Sequence, residues 1–116
     1  PAHILTDLAE AGVRFSVAAS PDEVRGAEMD VLYVTRIQKE RFGDPQEYES
    51  VAHSYRVTRE TVDILGGSIR IMHPLPRVDE IAEEVDSLPG ALYFRQAHNG
   101  IPTRQALLGL VTGGLS

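Results

Sequence analysis

Apolar and polar positions alternate along the chain in blocks that predict helices and strands in turn. Residues 2–11 carry apolar side chains at the spacing of an amphipathic helix, and Gly12 follows as a C-terminal stop. Residues 13–17 alternate with a period of two, which predicts a strand. A short helix is predicted over residues 20–28, with Ser20 as its cap.

Residues 31–34 form a continuous apolar run, which predicts a strand buried on both faces, as in a parallel sheet, and residues 69–72 predict the next apolar strand. Helix signals fill most of the remaining chain. The predicted helices are 44–52, 59–65 with Thr58 as cap and Gly66–Gly67 as stop, a weak one over 79–85, and 101–112.

The alternation of strands and helices predicts an α/β fold, a three-layer parallel sheet with flanking helices. Ligands of such sheets bind beyond the carboxyl ends of the strands. Two segments follow strands at that edge, residues 35–42 and residues 73–77. We expect these two segments to converge.

Composition narrows the function without choosing it. The 116 residues suit at most one domain, and 42% hydrophobic with 24% charged residues is ordinary for a globular protein. The chain has no cysteine, and its histidines lack metal-ligand spacing, so no metal or cofactor is expected. A net charge of -6 disfavours nucleic acid. No membrane span and no signal peptide are visible, so a cytoplasmic setting is expected.

The segment after the first buried strand contains the first candidate chemistry. Arg36 offers a planar guanidinium that fits a carboxylate or a phosphate, and Gln38 lies beside it with both donor and acceptor atoms. Glu40 could neutralise a neighbouring cation. A solvated charged loop with local ion pairs explains the same residues, and composition alone does not decide between the two.

The segment after the second buried strand is stiff, because Pro74 and Pro76 fix their own backbone angles on either side of Leu75. Carbonyls held in fixed directions can accept hydrogen bonds from an amide or an amine. A rigid strand exit without a ligand is the alternative. His73 is equally compatible with a structural histidine and with a proton shuttle.

Three segments of this chain resemble hallmarks of the aspartate carbamoyltransferases, in matching order and spacing. They are residues 31–42 (VLYVTRIQKERF), residues 73–81 (HPLPRVDEI) and residues 93–108 (YFRQAHNGIPTRQALL). The related ornithine carbamoyltransferases have a cysteine where this chain has Pro74, so the resemblance favours aspartate as substrate.

The resemblance implies an enzyme that makes N-carbamoyl-L-aspartate and phosphate from carbamoyl phosphate and L-aspartate, in pyrimidine synthesis and without a metal. Arg36 matches the arginine that binds an aspartate carboxylate, and Gln38 matches its companion. Leu75 and Pro76 match positions whose carbonyls hold the carbamoyl amide, and Pro74 shapes that turn.

The resemblance also implies supporting roles around these contacts. Glu40 and Glu80 match acidic residues that orient Arg36, and Arg77 is placed in the same supporting group. Residues 42–55 correspond to a loop that closes over the substrate. Such closure would exclude water and bring the amine to the carbonyl.

The chain departs from the family in length. Residues 1–116 correspond to a partial L-aspartate-binding domain of Rossmann-like type, and the carbamoyl-phosphate-binding domain has no counterpart in them. The expected partners are therefore that domain and other catalytic chains, in a trimer, and this chain alone is expected to be inactive. The alternative is a non-catalytic binding or assembly module. We also expect an open strand edge and an exposed apolar patch on the helix over 101–112.

Overall fold

The structure is a computed structural model that describes residues 2–36, 43–44 and 55–114. Helices and strands alternate along these residues, which confirms the α/β class. In chain order they are α1 (Ala2–Glu10), a 3-10 helix (Pro21–Val24), β1 (Val31–Tyr33), α2 (Arg59–Ile64), β2 (Arg70–Met72), a second 3-10 helix (Glu83–Ser87) and α3 (Tyr93–Val111). In the described residues, no helix is both long enough and apolar enough to cross a membrane.

Strands β1 and β2 form a parallel pair, as predicted, with Val31 opposite Arg70 and Tyr33 opposite Met72. On its other side β2 is bridged by Ala91, because the Ile71 amide donates to the Gly90 carbonyl at 2.7 Å. The centre of β2 is therefore covered on both edges, and Ile71 is fully buried.

Within the described residues the sheet has two strands, so the strand predicted over residues 13–17 is not found, and the three-layer arrangement stays a prediction. Residues 13–17 have no regular structure, and their alternating apolar side chains are exposed to solvent, from 44% for Phe15 to 73% for Val17. Apolar side chains at every second position favour a half-buried strand, but the backbone of a strand also needs a neighbouring strand for its hydrogen bonds. No ladder bonds join these residues to β1, which pairs only with β2 among the described residues.

The strand β1 is also less buried than its unbroken apolar run predicted. Val31 and Tyr33 are 45% and 53% exposed, whereas Val34, just after the strand, is buried. One face of β1 is thus exposed, and among the described residues no second strand pairs with its other edge, as expected for the sheet edge. Its other face lies on the core.

The core lies between β2, α2 and the start of α3. Its buried members are Val34, Val57, Val62, Leu65, Ile69, Ile71, Ile81, Ala82, Val85 and Tyr93. A second parallel bridge, between Val57 and Ile81, ties the segment before α2 to the segment after β2.

Local signals placed helix α2 correctly. The Thr58 side chain accepts from the Thr61 amide at 3.3 Å, and the Thr61 hydroxyl accepts from the Thr58 amide at 3.2 Å, which is a reciprocal cap. After the helix, Gly66 and Gly67 have φ angles of 104° and 71°, which favour glycine. Helix α1 and its stop at Gly12 (φ 68°) are likewise confirmed.

Two short predicted helices differ from the structure, and a third is not tested by it. The helix over 20–28 is only the 3-10 turn Pro21–Val24, and Ser20 makes no side-chain cap. The weak helix over 79–85 is replaced by the 3-10 helix Glu83–Ser87, because Ile81 is held in the bridge to Val57. The predicted helix over 44–52 lies outside the described residues, apart from Asp44.

Helix α3 begins at Tyr93, eight residues before its predicted start. Pro102 favours a helix start in sequence, yet here it lies inside the helix and removes a single backbone hydrogen bond. The apolar side chains of the second half are exposed, as expected. They are Ile101 (58%), Leu107 (55%), Leu108 (65%), Leu110 (62%) and Val111 (85%).

Candidate functional site

The parallel pairing brings the two predicted site segments out of the sheet side by side. The Val34 amide donates to the Met72 carbonyl at 2.8 Å, so Val34 and His73 lie at neighbouring positions where the strands end. From there one segment continues to Arg36 and the other to Leu75. The convergence predicted from topology therefore holds for the start of both segments.

Of the first segment, the structure describes Thr35 and Arg36, which are exposed. Arg36 takes part in a non-covalent interaction within the protein, so it is not without a partner. The predicted companions Gln38 and Glu40 lie outside the described residues, as does most of the predicted closing loop over 42–55. Their roles stay predictions.

The second segment is described throughout. His73 is fully buried, Leu75 is half-buried, and Pro74 and Pro76 on either side are exposed. Leu75 has a positive φ of 51°, and the peptide bond between Leu75 and Pro76 is cis. The carbonyls of Leu75 and Pro76 accept no backbone hydrogen bond from the described residues.

Two hydrogen bonds of His73 fix the beginning of this segment, and a third, made by its partner Gln96, extends the connection. Its Nδ1 accepts from the Leu75 amide at 2.8 Å, and its own amide donates to Oε1 of Gln96 in helix α3 at 3.0 Å. Gln96 in turn donates through Nε2 to the Tyr33 hydroxyl at 3.2 Å. The end of β2 is thus linked both to α3 and to the end of β1.

Arg77 fixes the far end of the segment. Its guanidinium donates to both carboxylate oxygens of Asp86, at 2.6 Å for the Nη2–Oδ2 pair, and to the Tyr93 hydroxyl at 3.3 Å. The guanidinium carbon also lies 5.6 Å from the Tyr93 ring centroid and 5.9 Å from that of Phe94. The Tyr93 hydroxyl donates to Oδ1 of Asp86, which closes a three-membered network.

The network shifts the protonation of each member. The hydrogen bond from Arg77 is the main cause that lowers the pKa of Asp86, and the bond to Asp86 raises the pKa of Arg77. Burial, followed by the hydrogen bond to Asp86, raises the pKa of Tyr93 to about 12. All three side chains therefore keep their ordinary charge at neutral pH.

Glu80 is 6% exposed, and its Oε2 accepts from the Val78 amide at 2.6 Å. This carboxylate stabilises the turn that follows Arg77. Its predicted role in orienting Arg36 stays a prediction. A cleft of about 790 Å³ passes Glu80 and Thr35, but Leu75 and Pro76 do not line it. In the described residues, no group of three or more His, Asp or Glu side chains could hold a metal ion.

Sequence reasoning assigned no role to Asp86, Tyr93 or Gln96. Asp86 and Tyr93 lie nine and sixteen residues beyond Arg77, so no helical or strand period connects the three. Tyr93 and Gln96 fall within the third resembling segment, which was the only signal that pointed to them. A buried tyrosine needs a hydrogen-bond partner, but that rule does not say which one.

These features define a class of protein, an α/β domain whose candidate site residues lie at the carboxyl edge of a parallel strand pair. Residues 3–111 match the family described as the Asp/Orn binding domain of aspartate/ornithine carbamoyltransferases. The chain belongs to this family.

Relatives of known identity agree. The chain is 58% identical over 107 residues to the aspartate carbamoyltransferase catalytic subunit of Hyperthermus butylicus, covering 91% of this chain and 34% of that protein. It is 54% identical over 116 residues to the corresponding subunit of Thermococcus onnurineus, covering 99% and 37%. The chain thus spans about a third of the length of these relatives.

Solved structures give the same result. The catalytic subunit of M. jannaschii aspartate transcarbamoylase superposes with a TM-score of 0.89 at 50% identity, covering 99% of this chain and 38% of that one. Aspartate transcarbamoylase from Trypanosoma cruzi, in complex with N-(phosphonacetyl)-L-aspartic acid, superposes with a TM-score of 0.73 at 35% identity, covering 90% and 33%.

Proposed function

We propose that this chain is the L-aspartate-binding portion of an aspartate carbamoyltransferase, which forms N-carbamoyl-L-aspartate and phosphate from carbamoyl phosphate and L-aspartate. The observation that carries the proposal is the 58% and 54% identity to proteins named as catalytic subunits of this enzyme. Because these relatives are named as catalytic subunits, they do not favour the alternative that the chain is a non-catalytic binding or assembly module.

Arg36 is the proposed aspartate contact. It lies two residues beyond the last core position of its segment, Val34, so its backbone starts from a fixed point while its side chain reaches solvent. A guanidinium binds a carboxylate through two parallel hydrogen bonds, and both bonds are charge-assisted. Gln38 is proposed to assist Arg36 as a donor and acceptor of hydrogen bonds to the substrate. Glu40 is proposed to assist Arg36 as a charge partner.

Leu75 and Pro76 are the proposed contacts of the carbamoyl group. An amide NH2 donates two hydrogen bonds, and two carbonyls held in fixed directions can accept them. His73 and Arg77 hold the two ends of the segment between them, which supports a preformed acceptor pair. Pro74 restricts the backbone that enters the turn.

The chain spans about a third of its relatives, so the complete activity requires further protein. The proposed partners are a carbamoyl-phosphate-binding domain and other catalytic chains in a trimer. A carbamoyl-aspartate assay on residues 1–116, with and without an added amino-terminal domain from a relative, tests this requirement. We expect product only in the reconstituted sample.

The aspartate assignment is tested by Arg36→Ala in the active enzyme that contains this chain. Loss of the charge-assisted pair costs about 3 kcal/mol, which is roughly a 100-fold rise in the KM for aspartate. Arg25→Ala is the matched control, because the guanidinium of Arg25 pairs with Asp22 on the surface, where both side chains are more than half exposed. An unchanged KM in Arg36→Ala, or turnover of ornithine in place of aspartate, would refute the assignment.

A further inference from the structure

Leu75 has a backbone conformation that its side chain alone would disfavour. Its φ of 51° lies in the left-handed region, which bulky residues other than glycine rarely occupy. A residue stays there only when its surroundings hold it. The described contact that does so directly is the hydrogen bond from the Leu75 amide to Nδ1 of His73, at 2.8 Å.

His73 is well suited to hold a neighbour because it is itself immobilised. Its side chain is fully buried, and its amide is bound to Gln96, which also reaches Tyr33 on the adjacent strand. The backbone that carries the imidazole is therefore tied to both β1 and α3, and the burial of the ring restricts its rotation away from Leu75. Fixed anchors of this kind transmit their position to the group they bind.

The hydrogen bond also determines where the proton of His73 lies. Because Nδ1 accepts, it carries no proton, and the neutral ring must have its proton on Nε2. Nε2 is buried and has no hydrogen-bond partner in the part of the chain that the structure describes. Burial is the main cause that lowers the pKa of His73; the charge of Glu80 opposes this effect, and that of Arg77 adds to it. The neutral ring is thus the state that the site favours.

We propose that His73 is a positioning residue, whose Nδ1 holds Leu75 in the conformation that presents the Leu75 and Pro76 carbonyls to the carbamoyl amide. The inference rests on the proposed function, because it assigns the carbonyls to carbamoyl phosphate. His73 itself does not touch the substrate. Its effect is confined to the backbone two residues further on.

The structural half of the proposal is tested without any substitution. Nitrogen-15 NMR of the histidine rings in the full chain distinguishes the two neutral tautomers. We expect His73 to be neutral at pH 7 with its proton on Nε2, and the Leu75 amide to exchange slowly with solvent. A proton on Nδ1, or a rapidly exchanging Leu75 amide, would overturn the proposal.

Three variants separate the acceptor from the ring that carries it. His73→Asn places an amide oxygen near the position of Nδ1, His73→Gln places it near Nε2, and His73→Leu has no acceptor. In folded protein we expect at least tenfold faster exchange of the Leu75 amide in the Leu and Gln variants, and protection close to wild type in the Asn variant. If His73→Leu does not fold, the comparison of Asn with Gln decides, and equal exchange in both contradicts the proposal.

The functional half is measured in the active enzyme that contains this chain. We expect His73→Gln to raise the KM for carbamoyl phosphate about tenfold or more, and His73→Asn to restore most of that loss. The KM for aspartate should change less, because Arg36 belongs to the other segment. An unchanged KM for carbamoyl phosphate in His73→Gln, in an enzyme that is active and sensitive to Arg36→Ala, refutes the positioning role alone. Failure of the wild-type enzyme to make carbamoyl aspartate refutes the proposed function instead.

Discussion

Tyr93→Phe is expected to destabilise the protein at neutral pH and to remove the loss of stability that the wild type undergoes at high pH. The substitution removes one hydroxyl from the network and keeps the ring, which is fully buried and packed near Arg77. The lost bonds join the hydroxyl to Asp86 and Arg77, and a hydrogen bond to a charged group is worth about 1.5–3 kcal/mol. Because Arg77 still pairs with Asp86, neither charge is left alone, so the cost should lie near the lower figure.

The high-pH effect follows from the Tyr93 hydroxyl. Its pKa is about 12 in the folded protein, against 10 for an ordinary tyrosine, so the fold favours the neutral phenol. The unfolded chain releases the proton first, and stability is complete below pH 10 and falls as the pH rises toward 12. A pKa shift of one unit corresponds to about 1.36 kcal/mol, so the rise from 10 to about 12 limits the loss of stability to about 2.7 kcal/mol. Phenylalanine has no proton to lose and escapes this loss.

Urea unfolding of wild type and variant at pH 7 and at several values between 10 and 12 measures both effects. The stability difference between the two proteins should shrink or change sign across the alkaline range. Tyr55→Phe is the matched control, since Tyr55 is 61% exposed, and it should stay within about 0.5 kcal/mol of wild type. A stability difference that is constant from pH 7 to 12 would refute the assigned network.

Other perturbations have equally definite outcomes. In Gly90→Ala the new Cβ would lie 2.1 Å from the Ile69 carbonyl oxygen, so the free energy of unfolding in urea should fall by about 1–3 kcal/mol. Gly43→Ala is the control, because its Cβ meets no described atom within 4 Å, and it should leave stability unchanged. Thr58→Ala should cost about 0.5–2 kcal/mol by the same assay, and Thr58→Ser should retain most of the cap. Because burial lowers the pKa of His73, the folded state resists its protonation; thermal unfolding should show stability falling as the pH drops below 6.5, and a flat profile would contradict this.

Elements fixed by local chemistry were the ones that the sequence predicted well. Helix α2 begins at Thr58 because two side chains satisfy two free amides there, and it ends before Gly66 and Gly67 because those residues accept positive φ angles. All of these interactions lie within a few residues of one another. They are therefore readable from the chain without knowledge of the fold.

Elements that depend on distant partners were predicted less well. The segment 13–17 has the alternation of a strand but no neighbour to pair with among the described residues, so it stays irregular. The helix expected over 79–85 gives way to the bridge of Ile81 with Val57, which lies 24 residues earlier. Helix α3 extends through Pro102 because a long helix can lose one hydrogen bond. In the first two cases a tertiary contact, or its absence, outweighs local propensity.

The candidate site likewise combines residues that the sequence could name with contacts that only the fold brings together. The segment from His73 to Arg77 is held at both ends by residues that only the folded chain brings together, Gln96 at one end and Asp86 at the other. Motif resemblance could name the carbonyls of Leu75 and Pro76, but it could not reveal what holds them. Preorganised acceptors bind without a reorganisation cost. If the carbamoyl group binds these carbonyls as proposed, the buried network spares it the cost of ordering its own site, and the proposed role of Arg36 is to meet the charge of the second substrate from the exposed side.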